Sequence, residues 1–180
     1  MTTVLIKNPD IDPAGKALVE QAFAAITSQW QNLLPPITVT FSRKPLSKAK
    51  ELKEYWAAQS LPKSQQRYVQ VACPEFDKDG ATLWVRYNHA SVMTPPDYYF
   101  KKELYSVVAQ LIWGLSDHLR KVVATHATGM AEGNEAAQYM GFRDSFSRLF
   151  LNPKWLAERK PAAWSFINRV DQVLKPKKAA

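Results

Sequence analysis

The chain has 180 residues, 46% of them hydrophobic, including six Trp, eight Phe and seven Tyr. That length suits one domain, and so much apolar material excludes wholesale disorder. Its 24 basic and 16 acidic residues give a net charge of +8, a surplus that suits nucleic acid, an anionic surface or an acidic protein partner.

The N-terminus, MTTVLIKNPD, lacks the basic start and long apolar stretch of a secretory signal. Asp12-Pro13 opens the first helix, since aspartate suits the cap and proline the first helical position. Leu18, Ala22, Ile26 and Trp30 recur at helical spacing and predict one apolar face. Pro35-Pro36 ends this segment. Ile37-Thr38-Val39-Thr40-Phe41 alternates with period two and predicts a half-buried strand.

A basic stretch runs from Ser42 to Arg67, where Leu52, Tyr55 and Trp56 predict a short helix or ordered excursion. Tyr68–Ala72 reads as a second strand and Thr82–Tyr87 as a third, paired as an antiparallel hairpin with a long connection. Asp77-Lys78-Asp79-Gly80 reads as a turn. It looks like the start of a calcium loop but lacks the remaining acids and the closing glutamate.

After the linker Ser91–Pro96, a long helix is predicted from Tyr98 to Val123. Leu104, Val108, Leu111, Leu115 and Val122 form its stripe, with Ile112 and Leu119 beside it. Thr125–Gly133 is loop-like. Further helices are predicted over Glu135–Leu151, which stops at Asn152-Pro153, and over Pro161–Leu174. Strands gather early and helices late, which is the α+β pattern. The expectation is a single domain over residues 1–174 with a frayed basic tail over 175–180. No apolar run approaches the ~18 residues of a membrane span. A lone cysteine, Cys73, cannot form an internal disulfide, which favours a cytoplasmic setting or a particle assembled inside a cell.

Two histidines at i and i+4 on a helix share one face and can hold one zinc, with a glutamate after the first as general base. In the long helix, Gln110 and Gly114 stand where the two histidines of an HExxHxxD motif would stand. Leu111 occupies the glutamate position, and Asp117 matches the trailing aspartate. Further on, Phe142-Arg143-Asp144-Ser145-Phe146 and the following Asn152-Pro153 are similar to a segment reading F-x-E-x-F and then Asn-Pro. Lys160-Pro161 leads the last helix. On these residues the chain resembles the lethal-factor-like and phage- or toxin-associated zincins. The resemblance implies a zincin-like fold with a small, mostly antiparallel twisted sheet of about three strands. It implies an N-terminal helix, a long central helix and C-terminal helices packed on that sheet. It also implies that Asp144 holds the third-ligand position.

Gln110 is a weak neutral ligand, Gly114 has no side chain, and Leu111 cannot take a proton from water. The expectation is therefore no zinc, no catalytic residue and no cofactor, because the donor count fails. Trp113, on or beside the same face, is read as filling the space left by metal and substrate; Trp155 and Trp164 read as core.

The resulting expectation is a non-catalytic, pseudo-metallopeptidase module that is structural or binds protein. It is set in a phage virion or a mobile element, in keeping with the group resembled. One alternative is a basic nucleic-acid-binding protein, with its densest charge at Arg43–Lys53 and Lys175–Lys178. Another is a hydrolase using Asp117 with Asp144 or His118. His118 and His126, eight residues apart, and His89 after the third strand have no metal spacing and read as ordinary surface or loop residues. Cys73 reads as a small buried hydrophobe.

Overall fold

A computed structural model describes residues 4–7, 13–30, 34–41, 70–71, 75–77, 80–86, 96–127 and 132–174. Within them the chain runs β1 (Val4–Lys7), α1 (Pro13–Trp30), β2 (Ile37–Phe41), β3 (Gln70–Val71), β4 (Glu75–Asp77) and β5 (Gly80–Arg86). It continues through α2 (Pro96–Leu115), α3 (Asp117–His126), α4 (Glu135–Leu151), α5 (Pro153–Arg159) and α6 (Pro161–Leu174). Helices and strands are mixed, as expected. The sheet is not the mostly antiparallel one expected.

Its centre is parallel. β1 pairs with β2 from Val4↔Ile37 to Lys7↔Thr40, and β2 pairs with β5 from Ile37↔Ala81 to Phe41↔Val85. Only the short β3 and β4 run antiparallel, both on the far edge of β5. The expected pairing of the second and third strands is present as β3 against β5, through Gln70↔Arg86 and Val71↔Val85. The mostly antiparallel sheet that the resemblance implies is corrected by this parallel centre. Parallel strands need a crossover, and α1 supplies one between β1 and β2. β1 itself was not foreseen.

Burial follows from this order. β2 lies between β1 and β5 and buries Ile37, Val39, Thr40 and Phe41, so both its faces are covered. β1, at the edge, alternates between half-buried and exposed, with Leu5 outward. The parallel ladder starts at a close approach. Ala81 N donates to Pro36 O at 3.0 Å, and a Cβ on Gly80 would lie 2.2 Å from that same carbonyl oxygen. Gly80→Ala should therefore lower stability by about 2 kcal/mol and the Tm by roughly 4–8 °C. A thermal melt unchanged to within a degree would mean that the Pro36 carbonyl yields freely.

One apolar core joins α1, β2, β5 and all the later helices. Leu18, Ala22, Ile26 and Trp30 are all buried on α1, as their spacing requires. Between α2 and α4 the small Ser106 and Ser147 meet, Oγ to Oγ at 3.2 Å. Aromatic side chains fill the rest of that seam. Trp113 contacts Phe142 at 5.9 Å, Phe142 contacts Phe146 at 5.6 Å, and Phe146 contacts Phe150 at 4.9 Å. Trp30 meets Phe146 edge-on at 5.2 Å. Each such pair adds about 0.5–1.5 kcal/mol beyond the area it buries.

The expected long helix over Tyr98–Val123 is two helices. Ser116 leaves the helix with φ −117° and ψ 97°, and its hydroxyl accepts from Leu119 N at 3.1 Å as the cap of α3. Leu104, Val108, Leu111, Ile112, Leu119 and Val122 are buried as expected, but Leu115, beside the break, is 48% exposed. α4 and α6 have the expected bounds. Asn134 caps α4 by accepting from Ala137 N at 3.1 Å. Asn152 ends α4 and caps the unforeseen α5, accepting from Trp155 N at 3.0 Å. Ser42–Arg67, Cys73, the Lys78-Asp79 turn, His89 and the tail after Leu174 lie outside the described residues.

Candidate functional site

Consecutive helical residues are turned by about 100°, so positions 110 and 114 share a face while 111 and 112 turn away from it. The burial obeys this. Gln110 and Gly114 are exposed, and Leu111 and Ile112 are wholly buried. Gln110, Trp113 and Gly114 from α2 face Glu135, Ala136 and Tyr139 from the first turns of α4 across an open cleft of about 640 Å³.

Trp113 and Tyr139 form an aromatic wall, with ring centroids 5.6 Å apart and planes inclined at 53°. Trp113, 9% exposed, lines the cleft rather than standing free within it. Arg143, one turn beyond Tyr139, lays its guanidinium over the Tyr139 ring at 5.7 Å. Glu103 lies two turns before Gln110 on the same stripe. The residue remains exposed, but protein crowded around its carboxyl raises its pKa, against the pull of Lys102 and Arg143.

The expected site residues therefore separate. Gln110, Gly114 and Trp113 come together. Leu111, at the general-base position, is in the core. Asp117 is not on the same helix as Gln110 and Gly114, because the break at Ser116 places it at the start of α3. There its carboxylate accepts from Arg120 Nη2. The same guanidinium caps α2, with Nη1 donating to Trp113 O at 2.5 Å and to Gly114 O at 3.3 Å.

Asp144 does not line the cleft. It is nine residues beyond Glu135, on the opposite side of α4. Its Oδ2 accepts from Arg148 Nε at 2.9 Å, and the Arg148 guanidinium lies 4.6 Å from the Trp155 ring. Trp155 and Trp164 are half-buried rather than fully enclosed.

The residues present do not fit a catalytic zinc. The oxygen-bearing side chains of the cleft are the Gln110 amide, the Tyr139 phenol and Glu135, so one carboxylate and no imidazole or thiolate stand where such a site takes three protein ligands. Among the described residues no three His, Cys, Asp or Glu side chains are grouped so as to hold a metal ion. Asp117, His118 and Asp144 form no such group. His118 is exposed and His126 half-buried.

Glu135 and Tyr139 were missed. Their signal in the sequence is slight: an acid in the first turn of a helix is ordinary dipole compensation. Both densest basic runs, Arg43–Lys53 and Lys175–Lys178, lie wholly outside the described residues. No described helix is long and apolar enough to cross a membrane. Comparison with family models, with curated proteins and with solved structures returns no match.

Proposed function

We propose that this chain is a non-catalytic binding module, a zincin-like frame kept for contacts with a protein partner and not for chemistry. The observation that carries the reading is the cleft itself. The two positions that would bear metal-binding histidines line it together, but as an amide and a glycine, between aromatic walls. Such a surface offers shape, apolar area and a few hydrogen-bonding groups, the usual makings of a binding site. It offers no activated water, since the side chain at the general-base position is buried among apolar neighbours. A role in a phage particle or mobile element belongs to the same proposal and rests on the group resembled.

The test is metal content and its effect on stability. The purified chain should carry less than about a tenth of an equivalent of zinc, and its Tm should not move when EDTA is added. Stoichiometric zinc, with a Tm that falls on chelation, would overturn the reading.

A further inference from the structure

The cleft between α2 and α4 has a charge and a shape that together select a ligand. Glu135 is the one charged group among its six lining residues, and the Gln110 amide is the other hydrogen-bonding side chain beside the Tyr139 hydroxyl. The rest of the wall is the Trp113 and Tyr139 rings, the Ala136 methyl and the Gly114 backbone. We propose that this cleft receives the basic side chain, lysine or arginine, of a partner protein segment. Its aliphatic stem lies along Trp113 and Tyr139, and its head reaches Glu135. The inference rests on the binding-module reading and names the chemistry of the partner.

Lysine and arginine are apolar along the stem and charged at the tip. A wall of rings ending in a carboxylate matches that division. Aromatic faces attract cations in addition; the Tyr139 ring already holds the Arg143 guanidinium at 5.7 Å, so that attraction falls to Trp113. An acidic ligand, a phosphate backbone included, would meet the Glu135 carboxylate. A purely apolar ligand would strip water from that carboxylate and return nothing. Charges of the +8 surplus that lie beyond about 8 Å are screened at physiological salt, which leaves Arg143, over the Tyr139 ring, as a near cation that Glu135 must outweigh.

The test follows the indole N–H resonance of Trp113 in the ¹⁵N-labelled full chain, assigned by its loss in Trp113→Phe. The probes are the capped tripeptides Ala-Lys-Ala and Ala-Arg-Ala, with Ala-norleucine-Ala as the uncharged match to the lysine stem. Both basic peptides should shift the resonance to saturation, and the norleucine peptide should bind roughly tenfold more weakly. Glu135→Gln should erase that difference. Glu158→Gln, which removes an exposed carboxylate of α5 outside the cleft, should leave it intact.

Norleucine binding as tightly as lysine would overturn the cation claim while leaving an apolar binding cleft. No shift with any probe would overturn it as well, as would undiminished discrimination in Glu135→Gln. The binding-module reading fails separately, on zinc content measured in the same sample.

Discussion

A Gln110→His/Gly114→His double variant should bind zinc far more tightly than the natural chain. The two positions are four residues apart on α2 and open onto one cleft, which is the spacing that lets two imidazoles share a metal. Glu135 supplies a carboxylate from the facing helix. With a Kd on the order of 1 μM, about 100 μM zinc would stabilise the variant by about 2.7 kcal/mol and raise its Tm by roughly 5–10 °C. Cobalt in place of zinc would give a visible absorption band from the same site. Adding Glu135→Gln should weaken the metal by at least about tenfold, whereas adding Asp144→Asn should change nothing.

The two additions separate the sequence resemblance from the geometry. By resemblance Asp144 is the third-ligand position. By geometry it is Glu135, because Asp144 faces away and is paired with Arg148. If Asp144→Asn weakened the metal and Glu135→Gln did not, the resemblance would be the better guide. A double variant with no thermal response to zinc would show that residues 110 and 114 do not open onto a common space.

What could be read in advance divides along a physical line. Local signals held. Asn152-Pro153 ends α4 as expected, because a cap and a proline act within a few residues. The spacing of Leu18, Ala22, Ile26 and Trp30 placed the buried face of α1. The break at Ser116 was also local, and was missed because Leu115 and Leu119 carry the helical period across it. The Ser-Asp pair at 116–117 was the contrary signal, a capping residue followed by a first-turn acid.

Non-local facts were out of reach. Parallel β1 and β2 follow from how α1 crosses over, which a four-residue strand does not announce. The pairing of α2 with α4 brings Glu135 and Tyr139 to Gln110. That register is set by side chains such as Ser106, Ser147, Trp113 and Phe142 meeting across the seam. Each half of the site was visible as residues, but their meeting was a property of the fold.

Leu111→Glu should be a severely damaging change on α2, and its size bears on the non-catalytic reading proposed above. Leu111 is wholly buried in the apolar core. A carboxyl there loses its hydration and gains no cation, a cost of about 4 kcal/mol at neutral pH. Such a glutamate would keep its proton in the folded state to a pH well above its unfolded value of about 4.3. Between those two values the folded state holds a proton that the unfolded state has released, so stability falls as pH rises. Urea melts of Leu111→Glu should therefore show a deficit that widens from pH 4 to pH 8, relative to Leu111→Gln, which carries a similar shape and no titrating group. The natural chain and the Gln variant should differ by a constant amount across that range. A zinc peptidase with an HExxH helix needs its general base beside the metal-bound water, and at position 111 of α2 such a base would stand in the core. If Leu111→Glu instead folded as stably as the natural chain with no added pH dependence, the side chain would be reaching the cleft. The general-base position would then be open, and the non-catalytic reading would lose its structural ground.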